Sequence, residues 1–238
     1  MLAIKILHTN DFHGKLTEDS LPQLVTLREN CDLYFDCGDS IKSGNLAVPL
    51  KPDPVWPLLQ KAGVTATVPG NRESHILNSV VQTKLSGASH PILCSNWFRR
   101  DGTLFLQNEL LLEQNGIKIG VFGVMVPMVT DRMTSRHTSQ FLWTQPIPAA
   151  QAQAQKIRPQ VDLLICLSHI GLTQDRRLAE ACPEIDLILG GHSHSVLAEP
   201  EIIGKTAICQ TGSHARFMGN YVWDGSLQSY ELIPWRQG

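Results

Sequence analysis

Ile4-Lys5-Ile6-Leu7-His8-Thr9-Asn10-Asp11-Phe12-His13-Gly14 opens the chain with a short apolar run that ends in two metal-binding side chains. The run predicts a strand over residues 2–8, too short for the apolar core of a signal peptide and without a cleavage site. Asp11 and His13 fall just past its end, and their two-residue spacing in an extended loop lets both side chains point the same way. The same construction recurs along the chain: Asp39 in Cys37-Gly38-Asp39-Ser40, Asn71 in Pro69-Gly70-Asn71-Arg72-Glu73, His169 in Leu167-Ser168-His169, and His192 with His194 in Gly190-Gly191-His192-Ser193-His194. Each piece follows an apolar run and sits at a polar or glycine-rich turn.

Taken singly, these pieces read as ordinary turns. An isolated Asp-x-His is more often solvated than ligating, and Asn71 after Pro-Gly is a usual turn residue. Together they supply hard carboxylates, imidazoles and one amide at strand ends, the donor set of a two-metal hydrolase. Independent turns have no reason to converge on it. A soft thiolate ligand at Cys37 is not expected.

Composition bounds the alternatives. The 238 residues suit one α/β unit spanning the whole chain, with 42% hydrophobic and 18% charged residues, a globular balance. A net charge of −2 argues against a non-specific nucleic-acid or anionic-membrane binder. No apolar run is long enough to span a bilayer. The cysteines at 31, 37, 94, 166, 182 and 209 form no compact spacing, so a reducing cytoplasm is the simpler expectation.

Strand and helix signals alternate. Strands are expected at 2–8, 32–37, 64–68, 91–95, 162–167 and 186–189, and helices at 21–30, 54–62, 74–85, 145–158 and 173–182. Phe105–Glu113 and Ile117–Val124, divided at Asn115-Gly116, predict a β-hairpin. Further strands are expected from Thr206 to Trp235, and long loops at 40–55 and 127–145. Early alternation followed by consecutive strands indicates two packed sheets flanked by helices.

The order Asp-x-His, Gly-Asp, Gly-Asn-x-Glu, Ser-His-x-Gly and Gly-His-x-His resembles the metallophosphoesterase (calcineurin-like) superfamily over nearly the whole chain. The opening Ile6–Gly14 segment is similar to its 5′-nucleotidase branch. The resemblance implies a four-layer α/β/β/α sandwich with two divalent ions (Mn²⁺, Zn²⁺, Fe or Co²⁺) above the strand ends. It also implies that Asp11, His13, Asp39 and His194 hold one ion and Asp39, Asn71, His169 and His192 the other, with a shared solvent molecule as nucleophile. Two ions against two carboxylates would leave the pocket at about +2, attractive to a phosphate dianion.

Two departures stand out. Relatives read Gly-Asn-His-Glu where this chain has Gly70-Asn71-Arg72-Glu73. A guanidinium does not give up its proton in a protein, so Arg72 cannot act as a general acid, although it can clamp a phosphate oxygen. Losing such an acid costs about 10²–10⁴ in rate, most for poor leaving groups. His75, one turn along if a helix begins near Glu73, is the expected substitute donor. Secondly, secreted relatives carry a further C-terminal domain that sandwiches the base. The chain ends at Gly238, so that domain is expected to be absent and base specificity is not carried over. Substrate contacts are then expected from Asn96-Trp97, from the 127–145 segment with Arg132, Arg136 and His137, and from the loop bearing His214. The tryptophans at 56, 143, 223 and 235 are expected to pack rather than to stack on a base.

The favoured expectation is a dinuclear phosphoesterase acting on small phosphorylated metabolites, nucleotides among them. The rival, motivated by Arg72, is a weakly active or inactive metal-binding domain used for ligand sensing or partner binding. A nuclease, which could use the same metals, is disfavoured by the lack of a basic stretch. Oligomeric state leaves no mark in the sequence.

Overall fold

The computed structural model describes residues 3–235, so position 2 of the first expected strand lies outside them. β1 (Ile4–Thr9), α1 (Leu21–Arg28), β2 (Leu33–Asp36), α2 (Val55–Lys61) and β3 (Ala66–Thr67) follow in the expected order. After α3 (Asn78–Leu85) come β4 (Trp97–Arg99), β5 (Glu109–Gln114), β6 (Ile117–Met125) and β7 (Phe141–Trp143). Then come α4 (Pro146–Ile157), β8 (Leu163–His169), α5 (Leu172–Ala181) and β9 (Leu187–Gly190). β10 (Glu201–Ile203), β11 (Thr206–Cys209), β12 (Phe217–Trp223) and β13 (Leu227–Pro234) complete the described chain.

Two sheets result, in the orders β13-β12-β1-β2-β3 and β10-β11-β9-β8-β6-β5. In the first, β1, β2 and β3 are parallel and β12 and β13 antiparallel. In the second, β6, β8, β9 and β11 are parallel, with β5 and β10 as antiparallel edges. The two-residue period of a strand decides the layers. Ile4, Ile6 and Phe35 meet Ile119, Val121, Ile165 and Leu167 in a core between the sheets. On the other face of the first sheet, Leu7 and Tyr34 pack on Leu24 of α1 and Leu58 and Leu59 of α2. Behind the second sheet, Phe122, Leu164 and Cys166 pack on Ala150 and Ala154 of α4 and Leu178 of α5. The architecture is the four-layer α/β/β/α sandwich of two mixed sheets flanked by helices.

Several boundaries differ for local reasons. α3 begins at Asn78 rather than 74: Ser74 N–H donates to Asn71 O in a turn, and His75 Nδ1 accepts the Leu77 N–H. Residues 91–95 contribute only isolated bridges at Ile92 and Leu93. β10 was not expected, and the β4–β7 ladder places β7 inside the expected 127–145 loop. Three-residue strands carry too little periodicity to read. Aromatic packing holds the ladder instead, with the Trp97 and Trp143 rings stacked at 4.8 Å and Phe141 edge-on to Trp97 at 5.4 Å. The hairpin forms at the expected turn, although its first strand begins at Glu109 rather than Phe105: Asn115 and Gly116 have φ of 54° and 77°, the left-handed pair of a type I′ turn.

Candidate metal centre

Loops leaving the carboxyl ends of β1, β2, β3, β8, β9 and β11 converge on one rim, where ligands collect in α/β sheets. Asp11 N–H donates to Gly38 O and His13 N–H to Asp39 O, each at 2.9 Å, which zips the loop after β1 to the loop after β2. Across the sheets, Asp11 Oδ2 accepts the His192 N–H at 2.9 Å. Among the described residues, five of the eight non-glycine positions with positive φ are Asp11, His13, Asp39, His192 and His194. Left-handed backbone is costly for such residues and gathers where a side chain must be aimed. Neighbouring glycines make room: a Cβ on Gly70 would sit 2.2 Å from Asp39 Oδ1 and 2.7 Å from His169 Cε1.

The donor atoms gather in two neighbouring groups. Asp11 Oδ1, His13 Nε2 and His194 Nε2 form a triangle with edges of 2.9, 3.3 and 3.5 Å. Donors bound about 2.0–2.2 Å from a tetrahedral cation stand about 3.3–3.5 Å apart. Asp11, His13 and Asp39 donor atoms also lie within 4.8 Å of one another. On the other side, His169 Nε2 is 3.5 Å from Asp39 Oδ1, and His192 Nδ1 is 3.0 Å from Asn71 Oδ1. His169 Nδ1 lies 2.6 Å from Cys37 O; a carbonyl can only accept, so Nδ1 carries the proton and Nε2 presents a lone pair. That Nε2 and Asp11 Oδ1 are buried without any hydrogen-bond partner. Such orphaned atoms are costly unless a cation meets them.

Electrostatics concentrates negative potential here. Burial works to raise the Asp11 carboxyl, but the His13 and His194 imidazoles, nearby His169 and the Asn10 amide hold it well below the usual range. Burial works to lower His169, yet the Asp39 and Asp11 carboxylates outweigh it and raise its pKa. His194 is also raised, first by its contact with Asp11. His192 is lowered by burial and by neighbouring His169.

The catalytic candidates are placed differently. Arg72 donates its backbone N–H to Asp39 Oδ1 at 2.7 Å, brings Nε to 3.8 Å from Asp39 Oδ2 and gives Nη1 to Lys42 O. It is therefore at the rim. His75 has no hydrogen bond or ring contact with the rim among the described residues, and the helix that was to carry it starts later. Burial and the Lys84 charge lower its pKa, disfavouring the protonated form. Asn96 does not match its expected role: it is fully buried, and its amide serves Met125 N, Met125 O and Thr144 O, fixing the β6 end to the β7 edge. Trp97 beside it is also buried. Arg136 and His137 lie on a 3-10 turn, Thr134–His137, without contact to the rim among the described residues. Trp56, Trp143, Trp223 and Trp235 are all buried in packing roles, as expected. His214 is at the rim, its ring stacked on His13 at 4.6 Å.

Two supporting residues escaped the sequence reading. Glu73, quoted only as part of a motif, is buried and accepts four backbone N–H groups, from Asp39, Ser40, Ile41 and Gly70. It clamps the loops bearing Asp39 and Asn71, and burial followed by Asp39 raises its pKa. Lys84 of α3 is 1% exposed and donates to Gly44 O, Asn45 O, Arg72 O and Ser74 O. A lysine in a short helix reads as solvated, so nothing local signalled it.

Known proteins resemble this chain. Residues 4–196 match the profile of the calcineurin-like phosphoesterase family. An uncharacterized metallophosphoesterase of Bacillus subtilis, YunD, is 24% identical over 233 residues, 91% of this chain and 49% of that protein. The 5′-nucleotidase of Mus musculus is 24% identical over 220 residues, 82% of this chain and 38% of that one. The crystal structure of a 5′-nucleotidase precursor from Thermus thermophilus superposes with a TM-score of 0.79 at 20% identity, over 98% of this chain and 55% of its own. The chain spans under half the length of the two curated relatives, and the structural likeness bears on the fold alone. With 4–196 of its 238 residues matched, the chain belongs to the calcineurin-like phosphoesterase family.

Proposed function

We propose that residues 1–238 form a metallophosphoesterase catalytic domain, a dinuclear phosphoesterase that hydrolyses phosphate esters or anhydrides of small metabolites, with nucleotides among its substrates. The observation that carries this reading is the gathering of donors at one rim: Asp11, His13 and Asp39 donor atoms lie within 4.8 Å of one another, His169 Nε2 is 3.5 Å from Asp39 Oδ1, and Asp11 Oδ1 and His169 Nε2 are buried without any hydrogen-bond partner. Asp11, His13, Asp39 and His194 hold one ion; Asp39, Asn71, His169 and His192 hold the other. Divalent ions there supply Lewis acidity, acidifying water and neutralising phosphoryl oxygens. Mixed nitrogen and oxygen donors suit Mn²⁺, Zn²⁺, Fe or Co²⁺.

The chain's own groups set the rest. Arg72, anchored to Asp39 and Lys42 O, offers its remaining guanidinium donors to a phosphate oxygen as a fixed clamp. It cannot protonate a leaving group, so the domain favours substrates whose leaving groups depart unprotonated, phosphoanhydrides and aryl esters. The Arg72–Asp39 contact also supports a second reading, in which the guanidinium occupies the rim and the domain senses a ligand or partner with little turnover. All six cysteines are free, which supports a reducing cytoplasm. No described helix is long and apolar enough to cross a membrane.

The test is product release by Mn²⁺-loaded protein on bis-p-nitrophenyl phosphate, p-nitrophenyl phosphate, ADP and AMP. A rate falling steeply with leaving-group pKa is expected. A shallow dependence with good AMP turnover assigns proton delivery to another residue, with His75 the first to replace. No turnover above background on any of them overturns the hydrolase reading in favour of the second.

A further inference from the structure

His214 stands at the rim but belongs to neither expected ligand set. It follows β11, whose partner in the second sheet, β9, delivers His192 and His194. His214 and Ala215 are consecutive non-glycine residues with left-handed backbone, φ 59° and 52°. The strained turn is tied directly to the first motif, because His214 N–H donates to Asp11 O at 2.8 Å. The imidazole lies parallel to His13, 4.6 Å between centroids and 24° between planes, and edge-on to His194 at 5.8 Å. Its Nδ1 is 2.9 Å from the Ser213 hydroxyl oxygen, which can accept the imidazole proton and leave Nε2 bare. Ligating histidines are oriented by such a bond on the second nitrogen.

One donor atom from each of His13, His194 and His214 lies within 4.8 Å of the other two. Packing alone does not account for this arrangement: His214 is exposed, and stacking buries little when the backbone must turn left-handed to achieve it. A cation held between the three nitrogens does account for it.

We propose that His214 is a third imidazole ligand of the ion held by Asp11, His13, Asp39 and His194, an inference that rests on the two-metal reading above. With three imidazoles that position becomes nitrogen-rich, and its preference moves toward Zn²⁺, Co²⁺ or Fe and away from Mg²⁺ and Ca²⁺.

The experiment is Co²⁺ titration of the metal-free protein, read by visible absorption and by calorimetry, on wild type, His214→Ala, His214→Gly and His194→Ala. Glycine accepts φ 59° freely, so agreement between the two His214 variants separates loss of a donor from relief of backbone strain. The expected result is two ions in wild type. Both His214 variants should weaken one of them by at least about 10–100-fold, the scale seen even for groups that only support a ligand, with a changed absorption band. His194→Ala should weaken the same ion. If the His214 variants keep wild-type affinity and spectrum while His194→Ala loses an ion, His214 is not a ligand and the inference is overturned alone. If wild type binds fewer than two ions, the two-metal reading falls and the inference with it.

Discussion

The space between the sheets and the rim above their carboxyl ends lie a few residues apart along the same strands and obey opposite rules. In β8, Leu163, Ile165 and Leu167 alternate into the apolar inter-sheet core, and the next residue of that parity is His169. Below, the side chains are buried and mostly apolar, with His8 bonded to the Tyr221 hydroxyl as a polar exception. Above, backbone turns left-handed, carboxylates lie buried beside one another, and donor atoms go unpartnered. A fold tolerates such violations where another agent completes them. The core determines that the strands stack; the rim spends some of that stability on aiming side chains.

Breaking the rim and breaking the core should therefore look different. Asp39→Asn removes the carboxylate proposed to bridge the two ions, and turnover of p-nitrophenyl phosphate should fall at least about 10³-fold, the scale of lost transition-state electrostatics. The metal-free variant should melt no lower than metal-free wild type, because a buried negative charge beside Glu73 is gone. A lowered melting temperature would show that Asp39 belongs to the stabilising part of the structure. Lys84→Met should do the converse at the base of the rim. It strands four backbone carbonyls, at a cost of about 3–5 kcal/mol in urea unfolding. It should also raise KM through the displaced Arg72 loop, while Lys84→Arg restores part of both. Ile165→Ala, in the inter-sheet core, should cost about 2–5 kcal/mol. Activity per folded molecule should remain within about twofold in that variant, which active-site titration with vanadate would check.

The same contrast explains what could be read from the chain. Strands and their apolar alternation are local, so β1, β2, β6, β8 and β9 were legible nearly to the residue. The candidate ligands could be picked out because each sits at a fixed offset from a strand end: the loop after β1 brings Asp11 and His13 together simply by its spacing. Long-range polar contacts leave no local trace. Asn96 reads as a loop amide until the bonds to Met125 and Thr144 appear. Lys84 looks solvated until four carbonyls surround it. Glu73 lay inside a recognised motif, yet its work on the Asp39 loop emerged only when those N–H groups were seen to converge.

The pH dependence of stability tests how far the rim's polar layer extends under the strands. Asp175 of α5 is fully buried, with Oδ1 2.5 Å from Ser168 Oγ and Oδ2 accepting from Gln210 Nε2 at 2.9 Å. Gln210 in turn reaches Gly191 O, next to His192. Burial, only partly offset by these bonds, raises the carboxyl to about 7. The native state then keeps a proton that the unfolded chain releases near 4, so this contribution is fully present below about pH 4 and is lost as pH rises to about 7. The loss is on the order of 4 kcal/mol at most for such a shift. Asparagine can reproduce the protonated group, its carbonyl accepting from Gln210 and its amide donating to Ser168 Oγ. Asp175→Asn should accordingly show a shallower fall in unfolding free energy between pH 4 and 7 than wild type, and the two curves should run parallel above pH 8. Asp36, raised to about 7 in the same way, keeps some slope in the variant. Parallel curves from pH 4 onward would mean that Asp175 is already ionised in the native state, and that the buried layer beneath the rim is charged.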